Sequence, residues 1–280
     1  GSTDTDQNMD KLSTKGGILV GAMGNSGAEK LHVMHKFTED GEKAYFYIKL
    51  DDQLNTNSVV YSEVWSAQEG EDLFTIRPAV LSRGQIYYPT DVQLNGSGQV
   101  LEAEVSPFNN RQYAKYSGYF KQLLTKMGLT TGEFVWEVKG KAGAECHAWL
   151  NTDLAAGSFA KIKITMDDKV YTTPEGDGNY ATGAGAASIP SSISVASYNN
   201  ATSFTSLSGN SYSYASFVGE VADISNFSSR GPSLSTDPKA LPTPTIAAPG
   251  GVVISAFSKK SKSFSTDAAE NVQKVTSGGN

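Results

Sequence analysis

From residue 28 to about residue 179 the chain alternates, with apolar residues at every second position in one short run after another. Phe46, Ile48 and Leu50 oppose Tyr45, Tyr47 and Lys49, and Leu101, Ala103 and Val105 oppose Glu102 and Glu104. Phe134, Trp136 and Val138 oppose Glu133, Glu137 and Lys139, and Ile162, Ile164 and Met166 oppose Lys161, Lys163 and Thr165. Period two belongs to strands with one buried face. Many such runs, parted by turn signals such as Asp40-Gly41 and Asn95-Gly96, predict an antiparallel sandwich or jelly roll. One segment departs from the pattern: Tyr113, Tyr116, Phe120, Leu124 and Met127 recur at helical spacing and stop at Gly128, which predicts a short helix.

The flanks are written in another style. In residues 5–27, Met9 and Leu12 suit the end of a helix, Lys15-Gly16-Gly17 a stop, and Ile18-Leu19-Val20 a buried strand. A helix feeding a continuous apolar strand suits a parallel sheet covered on both faces. Residues 180–280 return to this style in "SISVASYNN" (192–200), "EVADISNFS" (220–228) and "PTIAAPGGVVISAF" (244–257), while the tail after them holds no apolar cluster. The expected architecture is a discontinuous α/β domain, residues 1–27 with 180–280, interrupted by an inserted all-β domain, residues 28–179. The outer pieces are short for a complete doubly wound sheet.

Composition narrows the function. A net charge of −6 with scattered Lys and Arg leaves no basic footprint for nucleic acid. The apolar runs are far shorter than the ~20 residues of a membrane helix, so no membrane span is expected. The single cysteine, Cys146, rules out an intramolecular disulfide and a Cys-His metal pattern. His32 and His35 form H-x-x-H in a strand-like segment, where residues three apart face opposite ways. They read as solvated strand histidines, and no metal ligands are assigned.

Four stretches of the outer segments, in order, resemble the subtilisin-like serine proteases. "ILVGAMGNSG" is similar to that family's strand ending in A-A-G-N-x-G, and "SISVASYNN" to the next strand, V-I-S-V-G-A. "ISNFSSRGP" resembles the F-S-S-R-G-P segment, and "PTIAAPGGVVISA" resembles P-D-I-A-A-P-G-x-x-I-x-S-A, with Thr245 in place of the Asp. The insert follows the G-N-x-G turn, where that family accepts large insertions. Its "VVYSEVWS", "GEFVWEVKG" and "CHAWLN" are similar to the jelly-roll insert of the clostridial germination proteases.

The resemblance implies a role for Asn25. In that family the Asn of the turn donates its side-chain N–H to the oxyanion of the tetrahedral intermediate, and a donor held in place stabilises that charge without reorganisation. Ala22, Met23 and Gly24 would bind the substrate backbone and wall the pocket for the residue before the cut; Met23 stands where Ala is usual. The turn also has a purely structural reading, an Asn tolerating a left-handed backbone between glycines. Arg230, Gly231-Pro232 and Pro249-Gly250 read as scaffold.

The triad itself is missing. Neither D-x-G nor H-G-T-H precedes the turn, G-T-S-M-A is absent, and no His is placed to activate Ser26, Ser228 or Ser229. The expectation is a middle section of a longer endopeptidase, inactive alone, whose partners are a polypeptide substrate and the missing N- and C-terminal parts of the protease domain. The alternative is a non-catalytic protease-like scaffold whose β-sandwich insert binds a protein or glycan. The resemblance also implies an extracellular, periplasmic or cell-envelope location. No cofactor is assigned: calcium is frequent in the family, but no tight acidic loop occurs here.

Overall fold

The computed structural model describes residues 4–13, 15–51, 59–94, 99–151, 157–180, 185–205, 209–235 and 240–253. The chain divides into two compact units, one from residues up to Ala28 together with those from Asn179 on, the other from Glu29 to Gly178. The chain is mostly β-sheet. The Asn95-Gly96 signal and the tail after Val253 lie outside the described residues.

In chain order, β1 (Val20–Ala22) belongs to the first unit. The second unit then supplies β2 (His32–Lys36), β3 (Glu42–Leu50), β4 (Val59–Glu69), β5 (Phe74–Ser82), β6 (Gln85–Tyr87) and β7 (Val100–Val105). It continues with β8 (Arg111–Tyr119), β9 (Glu133–Gly140), β10 (Glu145–Leu150), β11 (Gly157–Phe159), β12 (Lys163–Met166) and β13 (Lys169–Thr172). The first unit resumes with β14 (Ile193–Tyr198), β15 (Ser203–Thr205), β16 (Ser211–Ser213) and β17 (Ile246–Pro249).

The second unit holds two antiparallel five-stranded sheets, in the orders β2-β10-β4-β8-β7 and β11-β3-β9-β5-β6. Alternate residues of each meet in one core: Val33, Val64, Ala114, Cys146 and Ala148 from the first, and Phe46, Ile48, Ile76, Phe134 and Trp136 from the second. The Trp136 indole N–H, fully enclosed, donates to Ser62 Oγ at 3.0 Å. The second sheet is covered on its other face too, where Tyr45, Ala79 and Val135 pack with Ile164 of the β12–β13 hairpin. That cover explains why Tyr45 and Val135 are buried although the alternation sets them outward.

Glu137 lies in this outer layer. Its carboxylate accepts from Tyr45 Oη and Tyr88 Oη, both at 2.7 Å, and from Arg77 Nε at 2.9 Å. Burial alone would raise its pKa, but the tyrosine and Arg77 hydrogen bonds outweigh it and hold the carboxyl below its ordinary value. Burial and the same carboxylate push the Tyr88 phenol up to about 12.

The expected helix is shorter than its pattern. Tyr113 and Tyr116 belong to β8, and only Phe120–Lys126 is helical, ending before Gly128, whose φ is +70°. Tyr113 stacks on Trp65 at 4.6 Å, while Tyr116 enters the core. Three residues apart in a strand means opposite faces, and the helical spacing across Tyr119 joins two different elements.

In the first unit, a helix (Asp4–Ser13) precedes a parallel sheet in the order β1-β14-β17. Met23 and Ala196 pack against Ala187, from the short turn Gly185–Ser188. The stretch 18–20 is not buried: Ile18 is 79% and Val20 60% exposed. Both Val20 and Ile246 are exposed, and they line up through Ile193 and Val195 on one apolar face of the sheet.

Candidate functional site

The G-N-S-G turn begins where β1 leaves its neighbour. Within β1 the alternation directs Leu19 and Met23 towards β14: Ile193 N–H donates to Leu19 O, and Met23 N–H to Val195 O at 3.0 Å. The main-chain groups of Val20 and Ala22 therefore point away from β14, to the side on which no described strand pairs with β1. Gly24 then adopts φ +94°, a conformation open to Gly at no steric cost, and the chain turns away.

The turn leaves a gap beside Ser197 of β14, and the segment 225–229 fills it. Ser225 N–H donates to Ser197 O at 2.9 Å, and Ser197 N–H donates to Ser228 Oγ at 3.0 Å. The same segment clamps the turn itself. Ser229 N–H donates to Gly24 O at 3.0 Å, Ser26 N–H to Ser229 Oγ at 3.1 Å, and Gly27 N–H to Phe227 O at 2.8 Å. Contact is so close that a Cβ at Gly27 would lie 2.0 Å from Ser228 O.

A buried polar chain runs on from this clamp. Ser225 Oγ donates to Asn199 Oδ1 at 2.6 Å, which leaves the Ser197 hydroxyl to donate to Ser225 Oγ at 2.7 Å. Asn199 Nδ2 in turn donates to Val218 O and Glu220 O. Thr245 receives the Ser194 N–H on its hydroxyl at 3.2 Å and donates its own N–H to Ser194 O at 2.9 Å. The residues of all four quoted stretches thus meet around β14. Arg230 is exposed, and the loops are tied by the serines next to it.

Of the candidate residues, Asn25 is exposed at the tip of the clamped turn, and Ala22 is exposed beside it. Gly24 is half-buried, while the Met23 side chain is fully enclosed in the core with Ala187 and Ala196. Ser228 and Ser229 are buried, and their hydroxyls accept the main-chain hydrogens just described. The three histidines all belong to the other unit, so no imidazole of this unit stands beside any of these serines.

The histidines are not where the H-x-x-H reading puts them. His32 and His147 are fully buried, and only His35 is partly exposed, bonded to Glu42 at 2.9 Å. The strand parity holds: His32 shares the outer face of its sheet with His147 and Trp149, while Val33 faces the core. His32 Nδ1 lies 2.9 Å from Asp177 Oδ1, His32 Nε2 lies 2.8 Å from His147 Nδ1, and His147 Nε2 lies 3.0 Å from Glu145 Oε1. The pairing of residues 115 positions apart carries no local signal; "ECHAW" shows only that Glu145, His147 and Trp149 share a face. Among the described residues no three His, Cys, Asp or Glu are arranged to hold a metal ion.

No model of a known protein family matches the chain, and no curated protein matches it in sequence.

Proposed function

We propose that this chain is part of a subtilisin-like serine endopeptidase, with Asn25 as its oxyanion donor and the jelly-roll-like sandwich as an insert in the protease domain. The observation that supports this most is the convergence of the four quoted stretches: three as the neighbouring strands β1, β14 and β17, and the fourth, 225–229, clamped onto the G-N-S-G turn. A turn held by three hydrogen bonds at its base is what an oxyanion donor needs, because the donor must be in place before charge develops. The side of β1 away from β14, at Val20 and Ala22 and unpaired among the described strands, is where an extended substrate would add as a further strand. Met23, with its side chain enclosed and its N–H given to Val195 O, backs this strand rather than meeting the substrate.

The Asp, His and Ser of the triad come from polypeptide outside these 280 residues in this reading, and the whole enzyme acts outside the cytoplasm or in the envelope. The chain alone has no peptidase activity. In the completed enzyme, Asn25→Ala lowers kcat by about 10²–10³-fold, the scale set by subtilisin's own oxyanion Asn. KM stays nearly unchanged, because the lost bond forms only in the transition state. Steady-state kinetics of both forms on a peptide substrate is the test. An unchanged kcat removes Asn25 from the reaction.

A further inference from the structure

The chain Asp177–His32–His147–Glu145 carries an inference independent of the protease reading. Three short contacts join these four groups, and each needs one hydrogen between its heavy atoms. Two neutral imidazoles bring two hydrogens, one each, and two ionised carboxylates bring none. A third proton satisfies all three contacts. A fourth would put an N–H on both His32 Nε2 and His147 Nδ1, which face each other at 2.8 Å.

The location makes this arrangement consequential. His32 lies just after the chain enters its unit at Glu29, and Asp177 just before it leaves at Gly178. Their main chains form an isolated antiparallel bridge: His32 N–H donates to Asp177 O at 3.1 Å, and Asp177 N–H to His32 O at 2.8 Å. Lys30 and Glu175 pair beside it, and a Cβ at Gly176 would lie 2.6 Å from Lys30 O. Both imidazoles are buried under Trp149, which stacks on His147 and tilts over His32.

We propose that His32 and His147 share one added proton between Asp177 and Glu145, that they reject a second, and that forcing it in at acid pH parts the two ends of the sandwich unit. Burial lowers the proton affinity of both rings, and Asp177 and Glu145 oppose that effect on His32 and His147 respectively. Among the other charges acting here are the buried Arg111 guanidinium, which disfavours charge on His147, and Glu69, which acts on Arg111. Glu63, in register opposite Trp149, is engaged with Tyr61, Trp65 and Lys115, and Lys36 stands opposite Glu145. The sign follows from the lowered affinity. Unfolded histidines charge near pH 6.5, so the latch is at full strength above that value and is lost as pH falls through the folded one.

The test is NMR on the intact chain from about pH 7.5 down to about pH 5.5, where ordinary carboxylates stay ionised. Ring ¹⁵N shifts report the proton count, and amide protection factors report the bridge. The third ring proton is expected to enter first and the fourth only at lower pH, both below the ordinary imidazole range. As the fourth enters, protection at His32 and Asp177 falls roughly tenfold or more, about the size of one lost buried hydrogen bond, while Val64 and Ala114 stay protected. His147→Gln, which cannot charge, abolishes that fall. Two rings charging independently near pH 6.5, a fourth proton entering together with the third, or unchanged protection at His32 and Asp177 down to the lowest pH would each overturn the proposal. If the variant does not fold, the native titration still decides.

Discussion

Trp136 and Phe46 are fully enclosed between two sheets, whereas around the parallel sheet of the other unit the enclosed residues include Ser194, Ser197, Asn199, Ser225 and Ser228 alongside Met23, Ala196 and Phe227. One unit is built around apolar side chains, and its second sheet is covered on both faces. The other is tied by short side chains bonded to main chain, and it leaves Val20 and Ile246 exposed on one sheet face. Apolar burial is non-directional and tolerates some repacking. Serine hydroxyls act at one geometry, which suits a region that must hold a turn in place.

The largest effect should come from the apolar unit. Trp136→Ala is expected to cost about 3–5 kcal/mol, because it opens a cavity and removes the donor to Ser62. Chemical denaturation measures this, and amide exchange shows where the loss falls. If the Ser26 and Ser229 amides lose protection as much as Phe46 and Val138, the units are one cooperative body and the contrast fails.

Glu137 sharpens the comparison from the sandwich unit, as one of its buried polar groups. Glu137→Gln should cost about 1–3 kcal/mol, since a carboxylate receiving three hydrogen bonds becomes a neutral amide with one acceptor oxygen. Its folded pKa is depressed, so its contribution is full above the ordinary glutamate value and disappears as pH falls through the folded one. The variant should therefore show a flatter stability profile on the acid side than the parent. An equal slope would remove Glu137 as the cause.

The smallest effect belongs to the serine-tied unit. Ser229→Ala deletes the acceptor of the Ser26 N–H and should cost about 0.5–1.5 kcal/mol. Faster exchange at Ser26, with Phe46 unchanged, is the expected reading. No change at Ser26 would mean the turn does not depend on the 225–229 segment.

The sandwich was legible where one face is core and the other is not, as in 46–50 and 134–138. Legibility failed where the environment is non-local. Tyr45, Val135 and Glu137 are buried because the β12–β13 hairpin returns across a sheet whose own pattern gives no sign of it. His32 is buried because β10 arrives from far along the chain. Ile18-Leu19-Val20 is apolar as a covered strand would be, yet Ile18 and Val20 are exposed. At the candidate site the turn was legible from Gly24 and Gly27, but the reason for Gly27 is the carbonyl of Ser228, two hundred residues on.

The proposal that the G-N-S-G turn belongs to a serine protease is open to a direct test. The most direct measurement is fluorophosphonate labelling of a polypeptide extended at both ends of this chain, with the labelled peptide mapped and the 280-residue chain as control. The account predicts one labelled Ser outside these residues and no label on the chain itself. A folded, extended polypeptide that takes no label, or a label on Ser26, Ser228 or Ser229, would contradict it.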